Sequence, residues 1–415
     1  MKNPTIAMAS ILGAGLLGLS GSAAASCSNK NYGIDLYVMS YYMQTEESGS
    51  RCANTADKFF DLLNGDLSNI VPSYDNYSIA NAAMNFNGVQ LYFDFAESYS
   101  AVLRFRIPSL GVDESFGEES GSRDDSVDML VDYLKKSGIL SRIMREQAAT
   151  SPTSPIAGPG GMIPTAAAAD FDAAMSDTVQ ALNGGSSSDS PSFAIGASYG
   201  SMDVDGKRGQ VTNIPMSYVW RSDSTPGQMF TVSGSVTQVT IAGGTSYHGG
   251  LGVAFRMPVS ARWALTPSLR YSITGSADMA SVAGMYSAGL SSTYHIPLEG
   301  MDLVIGNMAG YYRTNKVSFG EYSFDPKIHT WSLRNGVMVS RPLNMFGMPL
   351  AIEYSFVDTR YTGGTEFFVD NTQEIGVTIG TNRAGNVNKK FTRFGVRYLH
   401  GRETNTVSLT GSYWF

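Results

Sequence analysis

Charged residues are scarce in this chain of 415 residues. Asp, Glu, Lys and Arg together make up 16% of it, whereas an ordinary soluble domain contains roughly 25%. Long apolar runs are missing as well. Beyond the N-terminal segment, no run approaches the roughly 18 apolar residues that a membrane-spanning helix needs. The missing apolar runs argue against a helical inner-membrane protein.

Residues suited to catalysis or metal binding are also few. The chain has two cysteines, too few for a cysteine zinc site, and none of its four histidines pairs with another at metal-ligand spacing. It contains no HExxH motif, P-loop, GxSxG elbow or dinucleotide-binding glycine motif in the required context. We therefore predict no catalytic residue, no metal and no cofactor, and a protein that is not an enzyme.

The N-terminus has the three parts of a secretory signal peptide. Lys2 is the basic residue, residues 6–19 are apolar and residues 23–25 are alanines suited to cleavage. We predict a signal peptide over residues 1–25 and export across the inner membrane.

The two cysteines, Cys27 and Cys52, would then lie in an oxidising compartment, where they can form a disulfide. The alternative is a lipid attached to Cys27, which would leave Cys52 as a free thiol.

The charges divide the exported chain into two regions. Residues 27–190 contain 22 acidic and 10 basic residues, a net charge of −12, and residues 191–415 contain 14 acidic and 18 basic residues, a net charge of +4. Such asymmetry indicates two regions with different surroundings.

The acidic region shows mixed secondary-structure signals. Residues 32–43 and 88–107 have strand-like patterns, and residues 126–147 have a helical pattern. We predict a small acidic α/β region over residues 26–147. Residues 148–164, which are rich in Pro, Gly, Ser and Thr, predict a linker or exposed loop.

A second helix is predicted directly after that loop. Residues 165–182 begin with an alanine run and place Phe171, Met175, Val179 and Leu182 on one face. Gly and Ser then end the helix, so residues 165–190 form a helix and a hinge.

From Phe193 onward the apolar residues alternate with polar ones in twelve candidate strands. One strand has Phe230, Val232 and Val236 on one face, with Ser and Thr on the other. An even number of antiparallel strands is typical of bacterial outer-membrane barrels, and closure removes the exposed sheet edges. The fold class is therefore mainly β: a transmembrane antiparallel β-barrel of about 12 strands over residues 191–415, preceded by a helix and the small α/β region.

Charged residues within these strands fall on the polar faces. An arginine facing lipid at the bilayer midplane would cost about 2–4 kcal/mol, so we expect these side chains to face the lumen. There they could pair with each other, line a pore or contact a plug. They are Arg256, Arg270, Arg334, Glu353, Glu374, Arg393 and Arg397.

The C-terminal strand resembles the signature strand of bacterial outer-membrane barrels. Residues 406–415 alternate and end on an aromatic, with Tyr413 and Phe415 at the matching positions. The resemblance implies that these residues form an assembly signal read by the barrel-assembly machinery.

The helix of residues 165–182, the repeated strands from Phe193 and the Tyr413/Phe415 ending together resemble the translocator domain of autotransporters. The resemblance implies a helix that threads the lumen, faces the arginines and leads to an exported passenger. The chain departs from that family because only about 160 mature residues precede the barrel and they lack the repeats of a β-helix passenger.

Our leading hypothesis is an autotransporter-like barrel in the cell outer membrane that displays or anchors its short N-terminal region. The expected partners are outer-membrane lipid and the barrel-assembly machinery, with no nucleic acid and a surface ligand left open. The alternative is a small-solute channel whose arginines favour anions.

A third hypothesis is a surface hydrolase that pairs His248 or His400, near predicted strand ends, with a serine at the barrel rim. The side of the membrane on which residues 26–164 lie stays open.

Overall fold

The computed structural model describes residue 27 and residues 29–64, 67–183, 192–319, 322–345, 348–381 and 391–414. The predicted signal peptide and Phe415 lie outside the described residues.

The N-terminal module, residues 29–150, is a sheet with helices packed against it. The six strands pair antiparallel in the order β2-β1-β3-β4-β5-β6. They are β1 (Tyr32–Met39), β2 (Glu46–Ala53), β3 (Ile79–Phe86), β4 (Val89–Phe95), β5 (Leu103–Ile107) and β6 (Val112–Phe116), with helices α1 (Ala56–Asn64), α2 (Arg123–Lys136) and α3 (Ile139–Thr150).

The module has its own apolar core. Tyr32, Ile34, Leu36 and Val38 of β1 are buried together with Phe105 of β5. Residues on both faces of β1 are buried along most of its length, so its burial departs from simple alternation. The predicted mixed α/β region is therefore a folded unit with a buried central strand.

Two predictions for this part of the chain are wrong. The helix expected over residues 126–147 is two helices, α2 and α3, because Gly138 between them adopts a left-handed φ of 74°. The segment expected to be a linker or exposed loop over residues 148–164 is mostly buried, with Ser151, Ile156 and Ile163 among its covered residues.

A long helix, α4 (Met162–Asn183), connects the module to the barrel. It begins three residues before the predicted start at residue 165, because the buried Met162 and Ile163 already belong to its first turn.

The remaining residues form a closed antiparallel barrel of twelve strands, which confirms the predicted fold class and strand number. The last barrel strand pairs with the first and closes the sheet. The strands are β7 (Ser192–Val204), β8 (Lys207–Arg221), β9 (Met229–Ile241), β10 (Gly244–Pro258), β11 (Trp263–Ser276), β12 (Ser281–Leu298), β13 (Met301–Asn315), β16 (His329–Met345), β17 (Met348–Thr362), β18 (Asn371–Thr381), β19 (Phe391–Gly401) and β20 (Thr404–Trp414); a short hairpin, β14 (Val317–Phe319) and β15 (Tyr322–Phe324), lies between β13 and β16.

The outer surface of the barrel is apolar. Leu251, Leu269 and Leu409 are 71%, 61% and 61% exposed, while Ser and Thr side chains of the same strands are buried inside. Aromatic side chains mark both ends of this surface, as interfacial girdles do in outer-membrane barrels. They are Trp220, Phe230, Trp263 and Tyr294 towards one end and Tyr247, Tyr271, Tyr286 and Trp331 towards the other. Among the described residues, no helix is long and apolar enough to span a membrane.

The two ends of the barrel differ in what they carry. The inner end, as we use the term, is where β7 begins at Ser192 and β20 ends at Trp414, and the outer end is the opposite one. The module sits on the outer end, since the Tyr32 hydroxyl donates a hydrogen bond to the Asp278 carbonyl and the Asn31 amide donates to the Ile241 carbonyl. The module therefore covers the end of the barrel away from Ser192 and Trp414.

Cys27 and Cys52 form a disulfide that joins the start of the module to its edge strand β2. The same sulfur cannot also carry a thioether-linked lipid. The bridge holds the chain next to Asn31, which contacts the barrel.

We expect the double substitution C27S/C52S to lower the stability of the module by about 3 kcal/mol, the loop-closure contribution of a bridge of this span. The barrel should be unaffected, because its closure involves other residues. Limited proteolysis of the full chain during heating measures the first effect, and the heat-dependent gel mobility of the barrel measures the second. Equal module stability with and without the bridge would contradict this account.

Candidate functional site in the barrel lumen

Helix α4 runs through the barrel and packs on the wall formed by β10, β11, β12 and β13. Glycines in the wall make room for its large side chains. A β-carbon at Gly336, on the neighbouring strand β16, would lie 2.8 Å from Cζ of Phe171, and one at Gly306 on β13 would overlap Sδ of Met175. Gly306 and Gly336 are directly paired between β13 and β16. The wall therefore has a groove at the place where the helix lies.

A buried ion pair fixes the helix to this wall. Nε of Arg270 on β11 donates to Oδ1 of Asp170 on α4 at 2.8 Å, and both side chains are nearly inaccessible to solvent. A second donor of Arg270 bonds to the Ser233 hydroxyl. Because both charges are out of water, each depends on the other for compensation.

A second ion pair joins the other side of the helix to the opposite wall. Nη1 of Arg397 on β19 lies 2.7 Å from Oδ2 of Asp172 and 3.5 Å from Oε1 of Glu374. The side chains of Arg397 and Asp172 are each about one-third exposed. Water therefore screens this ion pair more than it screens the Asp170–Arg270 pair.

Polar contacts continue towards the inner end. Oδ2 of Asp177 accepts a hydrogen bond from the Thr231 hydroxyl, and the Thr178 hydroxyl donates to Thr293 at 2.8 Å. The helix is thus held along most of its described length.

The plug segment, residues 151–161, closes the outer end of the lumen. Ile156 and Ala157 are buried in an apolar cluster with Tyr312, Ile328 and Phe367 from the barrel. Nε2 of His248 on β10 lies 2.8 Å from the Gly160 carbonyl, while Nδ1 lies 2.9 Å from the Thr274 hydroxyl. The plug segment therefore occupies the outer end of the lumen, beneath the module.

A cavity of about 470 Å³ remains beside the helix, on the side facing β7, β8 and β17–β20. Arg334 lines it, is 4% exposed and stacks its guanidinium 5.3 Å from the centre of the Phe171 ring. No ion pair of Arg334 with a carboxylate occurs among the described residues, and its Nε has no hydrogen-bond partner there. The cavity thus contains one buried cation that is not neutralised by an acid.

The residues singled out from the sequence lie as follows. Arg270, Arg334, Glu353, Glu374, Arg393 and Arg397 line the cavity, and Arg256 is buried nearer the inner end, where it donates to the Gly227 carbonyl. Nη2 of Arg393 pairs with Oε1 of Glu353 at 2.8 Å. Tyr413 is on the outer surface, partly exposed. The sequence analysis did not single out Asp170, Asp172 and Asp177; the seven-residue spacing of Asp170 and Asp177 in an alanine-rich helix was an available signal.

The two histidines considered for hydrolysis occupy different environments. His248 is buried against the plug segment instead of lying in a solvated loop, because its ring nitrogens bond to Gly160 and Thr274. His400 is exposed and bonds to Asn405. Neither hydrogen-bonds to a serine among the described residues. Those residues also contain no group of three or more His, Cys, Asp or Glu side chains arranged for a metal.

No protein-family model and no curated protein matches the sequence. Solved structures with a similar fold include the translocator domain of the autotransporter NalP from Neisseria meningitidis, with 12% identity, a TM-score of 0.46, and 61% of this chain and 97% of that chain covered. The β-domain of the Bordetella autotransporter BrkA has 12% identity and a TM-score of 0.43, with 55% of this chain and 99% of that chain covered. The KdgM porin has 11% identity and a TM-score of 0.34, with 53% of this chain and 98% of that chain covered.

This barrel resembles autotransporter translocator domains. At such low identities and scores the likeness carries no argument about activity. What the chain does has to be argued from its own lumen and module.

We expect D170N to destabilise the barrel by about 3–5 kcal/mol, because it leaves the Arg270 charge buried without compensation. The matched substitution D172N should cost no more than about 1 kcal/mol, since Arg397 keeps Glu374 and is partly solvated. Urea unfolding in detergent, followed by heat-dependent gel mobility, measures both. Equal losses for the two variants would contradict the assignment of Asp170–Arg270 as the principal anchor.

Proposed function

We propose that the chain is an outer-membrane barrel that anchors its N-terminal module at the cell surface. One observation carries the proposal: the module covers the outer end, whereas the barrel strands begin and end at the inner end. Outer-membrane barrels have an even number of strands and insert from the periplasm, so that the inner end, with Ser192 and Trp414, faces the periplasm. The module then faces outward.

The lumen supports display over transport. Helix α4 fills one side of the barrel and is tied to both walls by Asp170 and Asp172. The plug segment closes the outer end through apolar packing and the His248 contact. A closed lumen with a helix held by paired charges suits a fixed tether between module and membrane.

Protease accessibility in intact cells tests the proposal. A protease site inserted among the exposed residues 118–121 of the module should be cut in intact cells, because that connection would face outward. The matched site in the β8–β9 connection, residues 222–228 at the inner end, should be cut only after the outer membrane is permeabilised. The reverse pattern of accessibility would contradict surface display.

The cavity beside the helix favours an anion-selective pore as the second candidate function. Arg334 provides a buried positive charge that no carboxylate among the described residues pairs with, and such a charge attracts anions in a narrow path. A continuous path for ions through the barrel would form only when both α4 and the plug segment leave the lumen.

We expect the complete chain to be silent in planar bilayers, and a chain that lacks both the plug segment and α4 (residues 151–183) to show steady conductance. Its preference for anions should fall when Arg334→Ala is added, because the unpaired charge is then lost. Single-channel recording with a salt gradient measures both quantities. Steady conductance of the complete chain, or silence of a correctly folded chain without the plug segment and α4, would remove the pore hypothesis.

A further inference from the structure

Four tyrosines form an exposed cluster on the N-terminal module, which we call the tyrosine cluster: Tyr41, Tyr42, Tyr77 and Tyr99. Their side chains are 47%, 63%, 46% and 48% exposed. The rings contact one another edge to face or tilted, with centroids 4.9 Å apart for Tyr41 and Tyr99 and 5.0 Å apart for Tyr77 and Tyr99. So many large aromatic side chains in contact at a surface indicate a binding site.

The cluster lies at the end of the sheet that is remote from the barrel. Tyr32 at the start of β1 contacts the barrel, and Tyr41 and Tyr42 follow the other end of the same strand. The eight residues of β1 separate the two ends by roughly 23 Å at the ordinary rise of a strand. In the proposed orientation the tyrosine cluster is therefore presented outward, away from the membrane.

The structure holds these rings in place before any partner binds. The buried Arg123 donates hydrogen bonds to the carbonyls of Ser78 and Ser100, the residues that follow Tyr77 and Tyr99. Tyr99 itself has a φ of 64°, a conformation disfavoured for a residue with a β-carbon. Its hydroxyl donates to that of Tyr42, and this contact is the main cause that raises the pKa of Tyr99 to about 12.

The surroundings of the cluster are acidic. The segments that carry and flank the rings, residues 40–47, 70–78, 96–101 and 117–122, contain no lysine or arginine. They contain six acids, which are Glu46, Glu47, Asp75, Glu97, Glu118 and Glu119. The faces of aromatic rings and neighbouring carboxylates both attract cations.

We propose that the tyrosine cluster is a docking surface for a lysine- or arginine-rich segment of a partner protein. The inference builds on the proposed display of the module, because the partner would be met outside the cell. Cationic side chains would lie over the ring faces while the surrounding carboxylates attract the segment as a whole. A glycan or a second copy of this chain could pack against the tyrosine rings, but its binding would not depend on the positive charge of a lysine or arginine.

The binding test uses the complete chain in nanodiscs whose lipid, phosphatidylcholine, carries no net charge, and empty nanodiscs give the background. The probe is a fluorescein-labelled peptide of alternating glycine and lysine, and the matched control peptide has every lysine acetylated. We expect the charged peptide to bind and the acetylated one to bind at least tenfold more weakly, with added salt weakening only the former.

Substitutions separate the contribution of the tyrosine rings to peptide binding from that of the surrounding carboxylates. Y42A/Y99A should weaken binding by about tenfold, because two cation–π contacts are lost, while Y42F/Y99F keeps the ring faces and should bind nearly as well. D57N/D61N removes two exposed charges from α1, next to the barrel contact, and should change binding less than E46Q/E97Q. The tyrosine side chains are exposed, so folding should be unchanged.

Equal binding of the charged peptide to the chain with Y42A/Y99A would overturn the proposal, as would equal binding of the acetylated peptide. Neither result depends on which side of the membrane the module occupies, because the nanodisc exposes both sides. Failure of peptide binding with correct protease accessibility leaves surface display standing. Binding with reversed accessibility would overturn the display and keep the docking surface.

Discussion

The structure depends on one buried ion pair inside the barrel, between Arg270 of the wall and Asp170 of the helix. Arg270 points inward because lipid would not accept it, and Asp170 of the helix supplies the compensation. The pair joins residues that are 100 positions apart in the chain. It therefore determines where the helix lies, and the helix determines which end of the barrel the module covers.

The remaining features follow from that position. With the helix against β10–β13, the plug segment is drawn over the outer end and the module is seated on the barrel turns. A cavity remains on the other side of the helix, and Arg334 lines it. The two proposed functions, anchoring and conduction, require different arrangements of the lumen, because the contacts that hold the helix and the plug segment also occupy it.

The barrel could be predicted from the sequence because alternation is a local signal, repeated in each strand. Twelve strands and inward arginines follow from it, but the partner of Arg270 does not, since no local pattern links β11 to a helix so distant in sequence. The burial of residues 151–161 was missed because Pro, Gly and Ser are typical of exposed loops, and these residues are covered only when the barrel and the module both pack around them. The tyrosine cluster joins three separate connections, so its rings meet only when the sheet is formed.

The most direct test of the threaded helix is a cross-link between it and the barrel wall. With Cys27 and Cys52 replaced by serine, T178C/T293C places two thiols where hydroxyls now lie 2.8 Å apart. The account predicts that a disulfide forms in cells under mild oxidation, whereas T178C/S412C, with Ser412 on the wall across the cavity, remains reduced. A folded barrel in which T178C/T293C stays reduced, or in which both pairs cross-link equally, would contradict a helix fixed on the β10–β13 wall.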